Sequence, residues 1–308
     1  MCHLDGDCGP PSNGDVMRSY LYVPGDQPDK MAKALRSGAD GLILDLEDAV
    51  APTAKIRART MIIDFVASTT APNPELWVRI NQGALGLDDV TAIVGAVGGS
   101  LAGLYVPKVT DSAMVRAVDE VLRPLELFAQ LEPGLIRVSA LLETAGGILD
   151  ARRIARSPRV MRLAIGEADL AAELGVELTP GDERELLLAR SMLVLASAEA
   201  GIEAPVGPVS TDFRDLDALR LSTVALRRMG FRGRAAIHPA QIPVINDVFT
   251  PTDDDVTRSR RIVELYDTSI AEGSGVCLND DGKMIDEAVA RSARRIVELA
   301  RRLNNGGQ

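Results

Sequence analysis

The sequence predicts an α/β barrel in which eight parallel strands alternate with helices. Short apolar runs recur along the 308 residues, and each is followed by a stretch with helical periodicity. Several runs end in charged or polar groups, as in LILDLED, LWVRIN and VSALLET. The carboxyl ends of all strands meet at one mouth of a closed barrel, where active sites lie. The pattern therefore predicts a (β/α)8 architecture, the TIM barrel, with charged groups gathered at that mouth.

The predicted strands follow one another at regular spacing. In order they are RSYLYV, GLILDL, LWVRI, LAGLYVP, IRVSALL, VMRLAI, IEAPVGPV and GRAAI. The seventh is weakened by its prolines, which cannot donate to a sheet ladder. Helices are predicted over 28–37, over TAKIRARTMIIDFV and from Leu87 to Gly98-Gly99. Further helices are predicted over 112–121 and 146–156, in a short stretch after Asp169, and over 182–199 and 214–229.

The pattern of alternating strands and helices stops near Pro251, which divides the predicted domains. Residues 17–250 form the predicted barrel. Residues 251–308 contain a charged helix over 253–271, the turn-rich GSGVCLNDDGKMID and a helix over 286–303, with no further buried strand. We interpret this part as an appended helical lid segment. Residues 1–16 are rich in Gly, Pro and Asp and are predicted to be a disordered tail.

Composition limits the classes of partner. A formal charge of −10 and a pI of about 4.9 argue against nucleic acid or an anionic membrane as the main partner. No apolar run approaches the ~20 residues of a membrane span. Cys2, Cys8 and Cys277 are an odd number without a CxxC pair, which favours reduced thiols and a cytoplasmic protein. Aromatic residues make up only 3%, which predicts an aliphatic core.

Glu143 and Asp169 are the central candidate pair. Each closes an apolar run, and they lie one strand–helix unit apart, so neighbouring strands would bring them to the same rim. Two carboxylates, with water and substrate oxygens in the other positions, suit Mg²⁺. The alternative is that either acid caps a helix, since Glu143 precedes TAGGILDARR. On spacing alone the two interpretations are about equal.

A second acidic group ends the second predicted strand. Asp45, Glu47 and Asp48 place three carboxylates in four residues, and period-two alternation puts Asp45 and Glu47 on one strand face. Such crowding needs a cation or an arginine to neutralise it, so these acids are candidates for supporting a metal site. Arg79 lies inside a predicted buried strand and requires an anion, either a barrel carboxylate or a substrate.

Three further features have weaker functional signals. His238 is the only histidine outside the tail, and ligand contact or a structural role is favoured over general-base catalysis. Asp286 is interpreted as the N-cap of the last helix. A basic stretch is best interpreted, on sequence alone, as a solvated helix face; it comprises Lys30, Lys33, Lys55, Arg57 and Arg59.

The order of motifs resembles a known family. The sequence contains no GxxxxGK[ST] phosphate loop, no strand-following GxGxxG and no GxSxG elbow. It does contain RSYLYVPGDQPDKMAKAL, GADGLILDLEDAV with AKIRAR after it, WVRIN, VPKV, LLETAGGI, AIGEADLAAELG, GFRGRAAIHPAQI and DGKMID. In this order, over roughly residues 17–300, they resemble the citrate lyase β-subunit-like group of the HpcH/HpaI aldolase and citrate lyase family. The DGKMID segment increases the resemblance to citramalyl-CoA and malyl-CoA lyases.

The resemblance implies an assembly and a set of site residues. It implies a homotrimer, or a hexamer of paired trimers, in which the C-terminal segment covers a neighbouring subunit's barrel mouth. Mg²⁺ would be bound by Glu143 and Asp169, Arg79 would bind a substrate oxygen, and Asp286 would be the acid/base from the neighbour. The residues implied to line the coenzyme A thioester site are Tyr22, Lys33, Lys55, Arg59, Ile237 and His238. Asp29 departs from the family, since some relatives have lysine there.

The expected activity is Mg²⁺-dependent carbon–carbon cleavage of a short 3-hydroxy-diacid acyl-CoA thioester, such as citramalyl-CoA or malyl-CoA, to acetyl-CoA and a 2-oxo acid. Within the same barrel, the alternatives are a citrate lyase β subunit acting on citryl-acyl-carrier protein, a malate synthase and a malyl-CoA thioesterase. A non-catalytic, metabolite-binding barrel is the alternative from a different class.

Overall fold

A computed structural model describes residues 16–70, 74–179 and 184–305. The predicted tail, with Cys2 and Cys8, lies almost wholly outside the described residues. Two compact units are present: the larger contains Met17–Asp247, and the smaller begins at Val248. Within the described residues, no helix combines the length and the apolar character needed to cross a membrane.

The larger unit is a closed barrel of eight parallel strands, so the (β/α)8 prediction is confirmed. The strands are hydrogen-bonded in sequence order, and the first pairs with the eighth. They are β1 (Ser19–Pro24), β2 (Gly41–Asp45), β3 (Glu75–Arg79), β4 (Gly103–Val106), β5 (Arg137–Leu142), β6 (Val160–Ile165), β7 (Val206–Gly207) and β8 (Gly233–Ala236). Runs such as GLILD are buried along their whole length because the interior and the outer helices cover both faces.

Helices connect consecutive strands. They are α1 (Pro28–Ala34), α2 (Lys55–Ser68), α3 (Gly83–Val97), α4 (Ser112–Phe128), α5 (Ala145–Leu149), α6 (Ala151–Ala155), α7 (Glu167–Leu174), α8 (Leu187–Ala200), α9 (Leu216–Met229) and, after β8, α10 (Ile242–Phe249). The helix predicted over 146–156 is divided at Asp150 into α5 and α6. The short helix predicted after Asp169 begins earlier, at Glu167, so Asp169 lies in its first turn.

The seventh strand is much shorter than predicted. Only Val206 and Gly207 pair with the neighbouring strands. Pro205 and Pro208 flank them, and neither has the N–H that would extend the ladder.

The prediction of an aliphatic core is wrong at the centre of the barrel. Tyr20, Trp77 and Tyr105 are fully buried there and meet edge to face, with ring centroids 5.6 to 6.3 Å apart. Arg162 is buried in the same layer and donates from Nη1 to the Tyr20 hydroxyl at 2.6 Å. The few aromatic residues are concentrated where large side chains are needed to fill the barrel interior.

The smaller unit is built on two long helices, α11 (Asp253–Ala271) and α12 (Glu287–Asn305). The segment between them was predicted to be turn-rich, and it contains two short antiparallel strands, β9 (Cys277–Leu278) and β10 (Met284–Ile285). Ile285 on β10 is buried and packs with Tyr266 and Ala290 of the helices. This unit therefore has a hydrophobic core of its own.

Candidate active site

A buried arginine–carboxylate pair lies at the carboxyl ends of β2 and β3. The register of the two strands places Asp45 beside Arg79. Arg79 donates from Nε and Nη2 to the two carboxylate oxygens at 2.7 and 2.5 Å, a bidentate pair with both groups buried. The pair and its neighbours raise the pKa of Arg79 although burial opposes its charge. Arg79 is thus a fixed cation at the mouth.

Glu47 and Asp48 extend this cluster from the loop after β2. Arg79 Nη1 lies 3.1 Å from Glu47 and 3.8 Å from Asp48. The prediction that Asp45 and Glu47 share a strand face is wrong, because β2 ends at Asp45 and the chain turns there. The Asp45 carboxylate accepts hydrogen bonds from the backbone N–H groups of Glu47 and Ala49. The turn, rather than strand alternation, brings both acids to Arg79.

Glu143 follows β5 directly and is buried. Its Oε1 accepts a hydrogen bond from the backbone N–H of Lys108 at 2.9 Å. The helix-cap interpretation of Glu143 is wrong, because Thr144 caps α5 by accepting from the Gly147 N–H. Burial raises the pKa of Glu143 to about 8, and the Asp169 and Glu47 charges add to the effect while the Lys108 N–H opposes it. Burial therefore disfavours the charged form of Glu143.

Asp169 stands opposite Lys108 in the first turn of α7. Its side chain is 46% exposed, and one oxygen lies 3.7 Å from Lys108 Nζ. Glu167 and Arg190 anchor the start of the same helix through a buried bidentate pair at 2.5 and 2.7 Å. Lys108 thus contacts both members of the pair that spacing predicted, Glu143 through its backbone and Asp169 through its ammonium.

Lys108 is the functional candidate that the sequence interpretation missed. It follows β4, and its Nζ also lies 3.3 Å from Glu47 and 3.8 Å from Asp48. Burial disfavours its charge, but these carboxylates outweigh that cost and raise the pKa of Lys108. A signal was present, since LYVPK ends in a charge like the other runs. The sequence interpretation counts Lys108 among these run ends but assigns it no role.

Negative charge exceeds positive charge at this mouth. We define the mouth cluster as Asp45, Glu47, Asp48, Glu143 and Asp169 with the cations Arg79 and Lys108. Across residues 16–70, 74–179 and 184–305, no three His, Cys, Asp or Glu side chains are arranged as a complete metal-binding set. Two carboxylates that leave the other positions to water and substrate match the donor preference of Mg²⁺. The cluster can therefore accept a divalent cation.

The prediction of a solvated basic face is wrong for two of its members. Lys55 Nζ donates to the carbonyl oxygens of Leu46 and Glu47 and to Asn81 Oδ1. Arg59 forms a salt bridge with Asp89 at 2.7 Å. By contrast, Lys30, Lys33 and Arg57 are exposed, as expected. Lys55 and Arg59 therefore stabilise the loops beneath the mouth.

Replacing Asp89 by alanine should lower the free energy of unfolding by about 3–5 kcal/mol, because it leaves Arg59 without its buried partner. Asp89 is fully buried and also accepts from the Asn81 backbone and side-chain N–H groups. Urea denaturation would measure the loss. Asp88→Ala is the matched control, since Asp88 is exposed and should change stability by less than about 0.5 kcal/mol. Equal stability of the two variants would contradict the prediction.

Aromatic and polar side chains surround the mouth on the side of β1 and β8. Tyr22 is half-buried, with the Arg79 guanidinium carbon 4.9 Å from its ring centroid. The His238 ring stacks on Phe213, with centroids 4.6 Å apart. Buried Gln241 accepts from the backbone N–H groups of Ile237 and His238 and donates to the Ser210 carbonyl. This amide joins the loops after β7 and β8, and sequence reasoning had missed both Phe213 and Gln241.

Asp286 belongs to the smaller unit. Its carboxylate accepts from the Val289 N–H at 3.0 Å, and its carbonyl accepts from the Ala290 N–H. The N-cap interpretation is confirmed by this geometry. A catalytic role for Asp286 stays a prediction.

Comparisons with known proteins agree with this architecture. The family model described as HpcH/HpaI aldolase/citrate lyase matches residues 18–239. The citrate lyase subunit beta of Leuconostoc mesenteroides subsp. cremoris is 30% identical over 296 residues, covering 94% of this chain and 95% of the relative. The L-malyl-CoA/beta-methylmalyl-CoA lyase of Rhodobacter capsulatus is 32% identical over 314 residues, with coverage of 94% and 96%.

A solved structure is similar over nearly its whole length. It is the CitE protein of Mycobacterium tuberculosis in complex with magnesium, acetoacetate and coenzyme A. The TM-score is 0.74 and the sequence identity 28%, and the match covers 93% of this chain and 98% of that one.

Proposed function

Because the chain belongs to the HpcH/HpaI aldolase/citrate lyase family, we propose that it is a Mg²⁺-dependent carbon–carbon lyase. Its substrate would be a short 3-hydroxy-diacid acyl-CoA thioester of the citramalyl-CoA or malyl-CoA type. The products would be acetyl-CoA and a 2-oxo acid. The observation that carries the proposal is the mouth cluster, where buried Glu143 and half-exposed Asp169 share Lys108 and acids outnumber cations. The malyl-CoA lyase and the magnesium-bound CitE structure among the relatives support it.

Glu143 and Asp169 would bind the metal ion. When bound, Mg²⁺ supplies Lewis-acid polarisation of the substrate's hydroxyl and carboxylate oxygens and holds them in place. Glu143 would have to release its proton first, because burial keeps its pKa near 8. Lys108 would keep Glu143 oriented through its backbone N–H.

Arg79 would stabilise the developing enolate. Cleavage breaks the bond between the acyl C2 and C3 atoms, so the hydroxyl becomes the carbonyl of the 2-oxo acid and C2 becomes the enolate carbon of acetyl-CoA. Asp45 holds the Arg79 guanidinium rigid, and a preorganised cation beside the thioester oxygen offsets the negative charge that forms there. Asp286 would take up the proton that the hydroxyl loses on becoming a carbonyl, and would deliver it to the enolate carbon.

Asp286 would reach the site from a neighbouring subunit. We propose a homotrimer, or a hexamer, in which residues 251–308 cover the barrel mouth of the adjacent chain. The thioester would lie along Tyr22, Lys33, Ile237 and His238. Lys55 and Arg59 are already hydrogen-bonded within the chain, so their contribution to that site would be to hold the loops that shape it.

A cleavage assay tests the proposal. The purified protein would be mixed with (S)-citramalyl-CoA, (S)-malyl-CoA or citryl-CoA, with Mg²⁺ or with EDTA, and products identified by mass spectrometry. Acetyl-CoA with pyruvate, glyoxylate or oxaloacetate, formed only with Mg²⁺, would support it. Free coenzyme A with intact hydroxy acid would instead indicate a thioesterase. Failure on all three would contradict the CoA lyase and favour the carrier-protein substrate or a binding role.

The second candidate is the citrate lyase β reaction on citryl-acyl-carrier protein. The relative from Leuconostoc, 30% identical over 94% of this chain, favours it. Both reactions need the same enolate chemistry, and they differ only in whether the acyl group is attached to coenzyme A or to the acyl-carrier protein. Competing citryl-CoA with citryl-acyl-carrier protein in one assay would reveal which thioester is preferred.

Gly166→Ala should weaken Mg²⁺ binding about tenfold or more without removing a ligand. Gly166 is the N-cap residue of α7 and has an ordinary φ of −106°, so alanine is conformationally acceptable. Its methyl group would lie only 2.7 Å from Glu143 Cβ, and closer still to Oε2, and would displace the carboxylate. Calorimetric Mg²⁺ titration would measure the loss. Gly146→Ala is the control, because its nearest neighbour would be 3.6 Å away, and equal affinities would contradict the prediction.

The Mg²⁺ affinity of the free protein should fall as pH decreases below about 8. The folded-state pKa of Glu143, about 8, lies above its ordinary value of 4.5, so the metal must displace a proton at lower pH. The association constant should therefore drop about tenfold per pH unit between pH 8 and pH 6 and level off above pH 8. Titration calorimetry in buffers of different ionisation enthalpy would measure affinity and proton release together. A pH-independent affinity across this range would contradict the prediction.

A further inference from the structure

Lys108 has two features beyond the hydrogen bond that orients Glu143. Its ammonium lies within 3.3 to 3.8 Å of carboxylates on three residues, Glu47, Asp48 and Asp169. Its backbone has a φ of +50°, a conformation that costs a residue with a side chain free energy. The same strained peptide directs its N–H to Glu143. One residue therefore contacts both proposed metal ligands.

We propose that Lys108 is a positioning residue that serves as the internal counter-ion of the metal site, and that its ammonium leaves Asp169 when the cation binds. This inference rests on the proposed function, because it concerns the same carboxylates. The ammonium and Mg²⁺ are attracted to one Asp169 carboxylate, so the two compete for it. Glu47 and Asp48 then retain the displaced ammonium at the edge of the cluster.

The charges of the mouth cluster favour this exchange. Arg79 is committed to Asp45 by two short hydrogen bonds and cannot move without leaving a buried carboxylate unpaired. Lys108 is the more mobile cation, because a lysine ammonium is a point charge on a flexible stem and its contacts here are 3.3 Å or longer. Without it, Asp169 would lose the ammonium 3.7 Å away while Glu47 would keep Arg79 at 3.1 Å, so the cluster would have one positive charge fewer and would attract an incoming cation more strongly.

If Lys108 competes with Mg²⁺ for Asp169, removing the charge of Lys108 should raise the affinity of the protein for Mg²⁺. Lys108→Met keeps the length of the side chain and the strained peptide but deletes the ammonium. Free Mg²⁺ should then bind about tenfold more tightly than to the wild type, since one repelling charge near ~4 Å is lost. Lys108→Gly also removes the ammonium but relaxes the positive φ, so it should gain less because the Glu143 hydrogen bond is less fixed.

Mg²⁺ titration calorimetry on the full-length, metal-free protein tests this, with no substrate present. Lys30→Met is the control, because Lys30 is exposed on α1 and should leave Mg²⁺ affinity unchanged. Wild-type binding with an unchanged or weaker affinity in Lys108→Met would overturn the role of Lys108 alone. Absence of Mg²⁺ binding in both proteins would overturn the metal site itself, and with it the proposed function.

A structural measurement provides an independent check that does not depend on a variant folding correctly. Crystals of the wild-type protein grown without metal and then with Mg²⁺ should show Lys108 Nζ moving away from Asp169, while the Lys108 N–H keeps its hydrogen bond to Glu143. An ammonium that stays beside Asp169 with Mg²⁺ bound would overturn the exchange.

Discussion

Glu143→Gln should remove Mg²⁺-dependent cleavage of the CoA thioester almost completely. Glutamine has the same size and can still accept the Lys108 N–H, so the fold around it should persist. It cannot release a proton to become a carboxylate, and it replaces one of only two proposed protein ligands. Removing a group that only hydrogen-bonds to a metal ligand lowers metal affinity or activity about 10- to 100-fold. Removing a ligand itself should therefore lower the activity by more than about a hundredfold.

Two measurements on this variant separate binding from chemistry. Calorimetry should show weakened Mg²⁺ binding, and turnover should not recover fully at saturating Mg²⁺. Glu177→Gln is the matched control, because Glu177 is exposed and has the same charge change. Full activity and unchanged Mg²⁺ affinity in Glu143→Gln would show that the metal does not bind at this carboxylate.

The barrel could be predicted from the sequence because each strand is recognisable from its own few consecutive residues. GLILD and VSALL are mostly apolar and are buried along their length, as expected of parallel strands covered on both faces. The seventh strand was overestimated because IEAPVGPV looks apolar, while its prolines remove the N–H groups that pairing needs. The aromatic layer was missed because composition counts residues but does not say where they lie.

Much of the mouth cluster was predictable for the same reason, since every acid lies at or shortly after the carboxyl end of a strand, namely β2, β5 or β6. The contacts that the acidic and basic side chains make were not, because they depend on distances between residues far apart in sequence. Arg59 and Asp89 are 30 residues apart, and Lys108 and Glu143 are 35 apart. Sequence alone therefore identified Lys55 and Arg59 as surface charges and left Lys108 out of the site.

Asp286→Asn should reduce turnover by about 10²- to 10⁴-fold while leaving thioester binding nearly unchanged. The carboxylate has two possible roles, as the cap of α12 and as the proposed proton donor, and asparagine separates them. It can still accept from the Val289 N–H, so α12 keeps its cap, whereas alanine would lose about 1 kcal/mol of stability. Only the acid function disappears in Asp286→Asn.

Deuterium exchange into the methyl group of acetyl-CoA, followed by NMR in D₂O with Mg²⁺, reports this proton transfer directly. Asp286→Asn should lose the exchange, and Asp281→Asn, an exposed change in the segment between β9 and β10, should retain it. Wild-type exchange in Asp286→Asn would assign the proton to another group and leave Asp286 as a helix cap.

Mixed oligomers then determine which chain supplies the acid. If Asp286 acts on a neighbour's barrel, co-assembled Glu143→Gln and Asp286→Asn chains will form some sites with an intact barrel and an intact acid. Random mixing of equal amounts should make about a quarter of the sites complete, so activity should return to about that fraction. If each chain uses its own Asp286, every site lacks one group and verified mixed oligomers stay inactive. The recovered activity therefore distinguishes a shared active site from one built within a single chain.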